Sequence, residues 1–468
     1  MDDVLIVGAG IGGLTVALAL HAAGVPCRVY EAAPVIRPVG VGVNVLPHAS
    51  RELARLGLEP ALSKVAVLTA ESAFFNRFGQ LIYREPAGRA AGYADPQYSI
   101  HRGDLQMTLL AAATERLGLG RIIPGWTCTG VTQDPGSAVA HFTATATGDA
   151  LPSQSGRAVI ACDGIHSAIR RQMFPHEGAP RYSGVNMWRG TTRWPAFLSG
   201  ATMVRAGWLA GGKMVIYPIR TLADGRQLVN WVAEIETPQH AQRDWTRKGR
   251  LEDFLPAFAD WRFDWLDVPA LIQAADQVLE YPMVDQDPLP HWTEGRVTLL
   301  GDAAHPMVPR GSNGAGQSIL DARALADCLS KGGDVAAALR AYEALRLGPT
   351  TDVVLTNRRQ PPDAILREVW QRTGDRPFAR IEDVISADEL AAMSNAYKAV
   401  ARFDHASLRA TGVAAAATAL GARPRRSEAA TPYGCDRALA RWPSDPVREG
   451  CRPRSSPRRR HRRGSSAP

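Results

Sequence analysis

Three segments of this chain carry residue types at spacings suited to holding a dinucleotide. Gly8-Ala-Gly10-Ile-Gly12-Gly13 fits G-x-G-x-x-G. It follows an apolar run at 4–7 and precedes an Ala/Leu-rich stretch, 14–23, that reads as a helix. The glycines suit a tight turn (Gly8), a backbone approached by pyrophosphate (Gly10) and close helix–strand packing (Gly13). Glu31 closes the next apolar run, 27–30, and is placed to bind ribose hydroxyls. Later, Asp163-Gly164 follows the apolar run 158–162, and Gly301-Asp302-Ala-Ala-His305-Pro306 follows the run 297–300. Pro309-Arg-Gly311-Ser-Asn313-Gly314 then leads into a second helical stretch, 314–329. Asp302, at the end of a buried strand, needs a partner such as a ribityl or ribose hydroxyl; its alternative is a helix N-cap. The 311–314 turn aims a helix N-terminus at something electron-rich, which suits a reduced flavin.

These motifs need a buried parallel sheet, and the β–α–β order of 4–31 supplies its start. From about 182 to 283 the texture changes to short aromatic and β-branched runs such as Met214-Val-Ile-Tyr217, broken by Gly, Pro and Asp. That pattern predicts an antiparallel sheet with one ligand-facing side. Residues 105–117 and most of 335–408 read as helical. The expected fold class is α/β. It comprises a Rossmann-like FAD-binding domain (1–180 and 282–408, with C-terminal helices) and a largely antiparallel substrate domain (181–281).

The net charge of +8 is uneven: residues 421–468 hold 13 Arg, no Lys and 4 acidic residues, or +9, which leaves −1 for the rest. Residues 411–468, rich in Ala, Arg, Pro and Ser, are expected to be disordered. Nucleic-acid binding through Arg458-Arg-Arg-His-Arg-Arg463 is the reading this tail could support. All chemistry-bearing motifs lie before it. No apolar run approaches the ~18 residues that span a bilayer, and no secretory signal stands at Met1-Asp2-Asp3, so a cytoplasmic protein is expected. The six cysteines are scattered, without CxxC, which argues against a zinc site or a disulfide framework.

Taken together the motifs resemble the class A flavoprotein aromatic hydroxylases, the p-hydroxybenzoate and salicylate hydroxylase family, over roughly residues 1–408. The order is specific: the glycine fingerprint with Glu31, Ser99-Ile-His-Arg102-Gly-Asp-Leu-Gln106, Asp163-Gly164, then Gly301-Asp302. Val41-Gly-Val-Asn44, Met187-Trp-Arg-Gly190 and 281–292 resemble its phenazine monooxygenases. The resemblance implies FAD as cofactor, NADH or NADPH and O2 as co-substrates, and hydroxylation of an aromatic acid through a flavin C4a-hydroperoxide. It implies that Arg102 and Gln106 lie near the FAD pyrophosphate or ribityl chain and that Asp302 binds the ribityl. Pro309 and 311–314, with Asn313, would line the flavin ring, and Asp163-Gly164 would serve the pyridine nucleotide as well. Trp188, Arg189, Tyr217 and Trp231 are the candidate substrate contacts. Pro309, Tyr217 and His305 are the candidate catalytic residues, His305 having a structural alternative. Two departures stand out: Ala161-Cys162 precedes Asp163 where the family has Gly-Ala, and Leu347-Gly-Pro349 replaces Arg-Arg-Pro, so the helix junction near there is expected to differ from the family's. A flavin halogenase or reductase on the same fold is the runner-up, although the Trp-x-Trp-x-Ile-Pro run of halogenases is missing.

Overall fold

The structure is a computed structural model that describes residues 3–238 and 248–410. The expectation for 411–468 falls outside them. The apolar run 4–7 forms the strand Val4–Val7 within a six-stranded sheet. It pairs in parallel with Cys27–Glu31 on one side and Ala158–Ala161 on the other. Val297–Leu299 and Ile122–Pro124 extend the parallel pairing outward, and Thr293–Glu294 adds an antiparallel edge. Val4, Leu5 and Ile6 are fully buried, so the strand is apolar throughout rather than alternating. The helices Ile11–Ala22, Arg102–Leu117 and Gly314–Leu329 pack beside this sheet in one continuous core.

The second sheet has seven strands, in the order Val278–Asp285, Arg181–Trp194, Gln227–Glu236, Lys213–Thr221, Thr202–Gly207, Glu71–Phe75, Leu81–Pro86. Every pairing is antiparallel except Thr202–Gly207 with Glu71–Phe75. The sheet therefore draws two strands from 71–86, so its membership is not the continuous 181–281 block expected from texture. Because successive side chains alternate faces, Trp188 and Trp231 enter an aromatic layer with Phe254, Phe258 and Trp261. Trp188 stacks on Phe254 at 5.0 Å. Met187, Arg189 and Tyr217 take the opposite face.

The C-terminal part forms the helices Val335–Arg359, Ala364–Thr373 and Ala387–Val400. The first runs through Pro349 unbroken. Among the described residues no helix is long and apolar enough to cross a membrane, and the four described cysteines are free.

Candidate active site

The glycine fingerprint turns as its spacing predicts. Gly8 has φ 103°, and a Cβ there would lie 2.4 Å from the Cys162 carbonyl oxygen. A Cβ on Gly13 would lie 1.9 Å from the Gly8 oxygen, so strand and helix meet only through glycine. Gly10 has open space instead, where a ligand can reach the backbone. Glu31 accepts from the Ala9 amide at 2.7 Å and the Ala33 amide at 2.8 Å, holding the turn against the end of its own strand. Gln106 donates to the Ala9 carbonyl at 2.9 Å from the other side. Its Oε1 is buried without a partner.

Above this turn opens a cleft of about 310 Å³. Gly10, Gly12, Arg102, Asp302, Asn313 and Gly314 line it, with Cys162, Gly164, Pro309 and Ser312. The N-termini of the helices Ile11–Ala22 and Gly314–Leu329 both border it. Their unpaired N–H groups favour an anion in that space. Asp302 is exposed on the wall, near the point a Gly314 Cβ would take. It lies inside the short turn Gly301–Ala303, whose N-cap is Leu300, so it is neither the buried carboxylate nor the N-cap that the sequence suggests. An unpartnered carboxylate, an open glycine and two helix N-termini on one cleft fit FAD. Asp163 accepts from the Ala168 amide at 2.9 Å, while its other oxygen is buried without a partner. Burial pushes its carboxyl above the ordinary range.

On the sheet side, Arg189 donates to the Gly42 carbonyl at 2.8 Å and faces Tyr217. Both line the cleft. Burial raises the Tyr217 phenol, and Arg189 opposes that rise. Trp188 and Trp231, expected as substrate contacts, line neither this cleft nor the chamber described next; they point into the aromatic layer behind the sheet. His305 is likewise withdrawn from the cleft. Its Nε2 meets Asp321 Oδ2 at 2.6 Å, and Asp321 also accepts from Arg346 at 2.7 Å. Burial alone would raise the Asp321 carboxyl, yet His305 and Arg346 hold it below its usual range. The Gly301 amide donates to the same carboxylate at 3.2 Å, so the His305–Asp321–Arg346 group braces the Gly301-Asp302 turn from beneath. A catalytic base needs access to substrate, and the geometry gives His305 a structural place instead.

A second chamber, of about 330 Å³, lies on the other side of the 309–314 turn, where Gly311 faces it. Phe74, Tyr83, Tyr93, Tyr397 and Phe403 provide aromatic wall, and Arg205 stands among them. Arg205 donates to Ser72 at 2.8 Å and pairs with Asp363 at 3.3 Å, beside the buried Lys213–Glu234 pair. Neither Arg205 nor Tyr397 stands out in the sequence. A lone Arg in a strand and a Tyr in a helical stretch carry no spacing signal.

The model of the FAD binding domain family matches residues 1–355. A phenazine 1,6-dicarboxylic acid hydroxylase from Lysobacter antibioticus is 42% identical over 409 residues, 86% of this chain and 98% of that protein. A 3-amino-4-hydroxybenzoate 2-monooxygenase from Streptomyces platensis is 36% identical, covering 81% of this chain and 93% of its own length. Among solved structures, Klebsiella pneumoniae HpxO complexed with FAD and uric acid superposes with a TM-score of 0.69 at 25% identity, covering 85% of this chain and 96% of that one. With the dinucleotide cleft and the two-sheet fold already in place, these likenesses settle the assignment: the chain belongs to the FAD-binding family of class A flavoprotein aromatic hydroxylases and is an FAD-dependent aromatic monooxygenase that uses NAD(P)H and O2.

Proposed function

We propose that the protein hydroxylates an aromatic carboxylic acid, with a phenazine carboxylate as the first candidate, in the chamber behind the 309–314 turn. The observation that carries this reading is the chamber itself: aromatic walls with the Arg205 guanidinium among them, alongside Glu85, Lys398, Asp404 and His405, next to the turn that also borders the dinucleotide cleft. Its volume of about 330 Å³ suits a small flat ligand. Aromatic faces hold a flat ring, and a planar guanidinium binds a carboxylate bidentately. The hydroxylases of phenazine dicarboxylate and aminohydroxybenzoate named above act on aromatic acids, which supports the same class here.

The stoichiometry is ArH + NAD(P)H + H⁺ + O2 → ArOH + NAD(P)⁺ + H2O. Bound FAD supplies the passage of electrons from NAD(P)H to O2. The protein's share is placement and exclusion. Asp302, Arg102 and the glycine turn would hold the cofactor, Glu31 and Gln106 keep that turn rigid, and Pro309 and Asn313 line the cleft on the turn whose Gly311 borders the chamber. Arg189 and Tyr217 belong to the cofactor side of this division. The aromatic side chains of the chamber wall would help to keep water from the reacting centre. The reading places the enzyme in the cytoplasm, where NAD(P)H is supplied.

Arg205→Gln tests the chamber. Titration of the FAD-loaded protein with phenazine-1-carboxylate should show roughly 10- to 100-fold weaker binding, the worth of a charge-assisted hydrogen bond. The neutral carboxamide should lose little. Equal losses for both ligands would place the carboxylate elsewhere.

A further inference from the structure

Gly311 and Ser312 both adopt left-handed backbone, with φ of 80° and 59°. For Ser312 this is strained, and such a turn persists only where its surroundings over-determine it. Three side chains do so. Asn313 Nδ2 donates to the Gly311 carbonyl at 3.1 Å and to the Tyr397 hydroxyl at 2.8 Å. Tyr397 donates in turn to Asn357 Oδ1 at 2.7 Å. The hydroxyl also lies directly against Gly311, where a Cβ would come within 1.8 Å of it. Burial pushes the Tyr397 phenol far above its ordinary range, so it stays a donor at every working pH.

Tyr397 comes from the Ala387–Val400 helix and Asn357 from Val335–Arg359, so two C-terminal helices meet the turn at one point. The same tyrosine lines the chamber beside Met203 and Arg205, while Asn313 lines the cleft. We infer that Tyr397 is a positioning residue that couples occupancy of the chamber to the geometry of the turn facing the flavin. The inference rests on the chamber being the substrate site. A ligand moves an equilibrium only through contacts that differ between its two states. The Tyr397 ring is such a contact, because a ligand against it bears on the hydroxyl that clamps Gly311 and Asn313. In a close-packed interior the displacement passes to the turn rather than into empty space.

Tyr397→Phe in the FAD-loaded enzyme is the test. FAD should still bind, since Tyr397 does not itself line the cleft. Phenazine-1-carboxylate should still bind, with the phenyl wall intact. The change that this ligand induces in the flavin absorbance spectrum should be largely lost. The share of NAD(P)H consumed as NAD(P)H + H⁺ + O2 → NAD(P)⁺ + H2O2, without hydroxylation, should rise about tenfold, the scale of one buried hydrogen bond. Asn357→Asp keeps the acceptor and should preserve the spectral response; Asn357→Leu should reproduce the Tyr397→Phe behaviour. A Tyr397→Phe enzyme with the wild-type spectral response and peroxide yield overturns the coupling alone. A wild-type enzyme that binds FAD but shows no flavin response to any aromatic acid overturns the chamber assignment and the coupling together.

Discussion

Individual side chains at this site separate into those that wait for a ligand and those already satisfied by protein. Asp302 is of the first kind: exposed on the cleft wall, with no side-chain cap. Asp302→Ala should therefore raise the FAD dissociation constant about tenfold or more, one lost hydrogen bond to a hydroxyl. The melting temperature of the FAD-free protein should not move; a large drop would mean that the carboxylate has a structural partner. His48 is buried with neither ring nitrogen hydrogen-bonded, stacked on Phe403 at 5.6 Å. Burial holds its pKa down at about 3. The unfolded chain, with an ordinary value near ~6.5, binds more protons below that pH, so stability is lost as pH falls from there toward the folded value. His48→Leu should remove about 2 kcal/mol of the stability difference between pH 7 and pH 5. Parallel acid profiles for the two proteins in chemical denaturation would refute this. At this scale the sequence is legible where a motif fixes backbone geometry, as at Gly8 and Gly13. His305 is not, because Gly-Asp-Ala-Ala-His reads the same whether the ring faces the cleft or, as here, Asp321 and Arg346 behind it.

Elements decide which side chains can meet, and here parity is the hidden variable. The aromatic pattern of 182–283 announces an antiparallel sheet, and the strands are there. Nothing in that pattern says which of Met187-Trp188-Arg189 faces the ligand side, and a shift of one residue exchanges the faces. Trp231 shows the consequence: fully buried, it donates from Nε1 to Thr192 at 3.0 Å within the aromatic layer. Trp231→Phe should lower stability by about 1–3 kcal/mol through lost volume and one broken hydrogen bond, yet leave FAD and substrate affinities unchanged. A selective rise in substrate KM without loss of stability would return Trp231 to the pocket. The strands 71–75 and 81–86 escape the sequence for a related reason. They are short, their side chains do not alternate cleanly, and Thr202–Gly207, the strand that joins 71–75 to the rest of the sheet, lies far along the chain. The helix Val335–Arg359 runs through Pro349 because a proline removes only one amide hydrogen bond, which a long, packed helix tolerates.

At the scale of the molecule the chain crosses between its two largest sheets several times, and the site is assembled from those crossings. The glycine turn and Glu31 come from the first strands, Arg102 from the middle, and Asp302 and Asn313 from the return to the parallel sheet. Each of those segments carries its own local signature, which is why the cofactor side is legible in the sequence. The substrate side is not. Its chamber joins Phe74, Arg205, Gly311, Tyr397 and Phe403, each ordinary in sequence and brought together by tertiary packing alone. Aromatic-acid hydroxylation is thus the claim most dependent on the folded molecule. Its most direct test is a turnover of the FAD-loaded enzyme with NAD(P)H under ¹⁸O2, over a panel of phenazine carboxylates, salicylate-type acids and quinolines, read by product mass. An aromatic acid should stimulate NAD(P)H oxidation, and its product should carry one ¹⁸O atom, with loss of CO2 if the carbon attacked bears the carboxylate. Bound, reducible flavin with no aromatic acid stimulating oxidation, or product oxygen drawn from water, would contradict it.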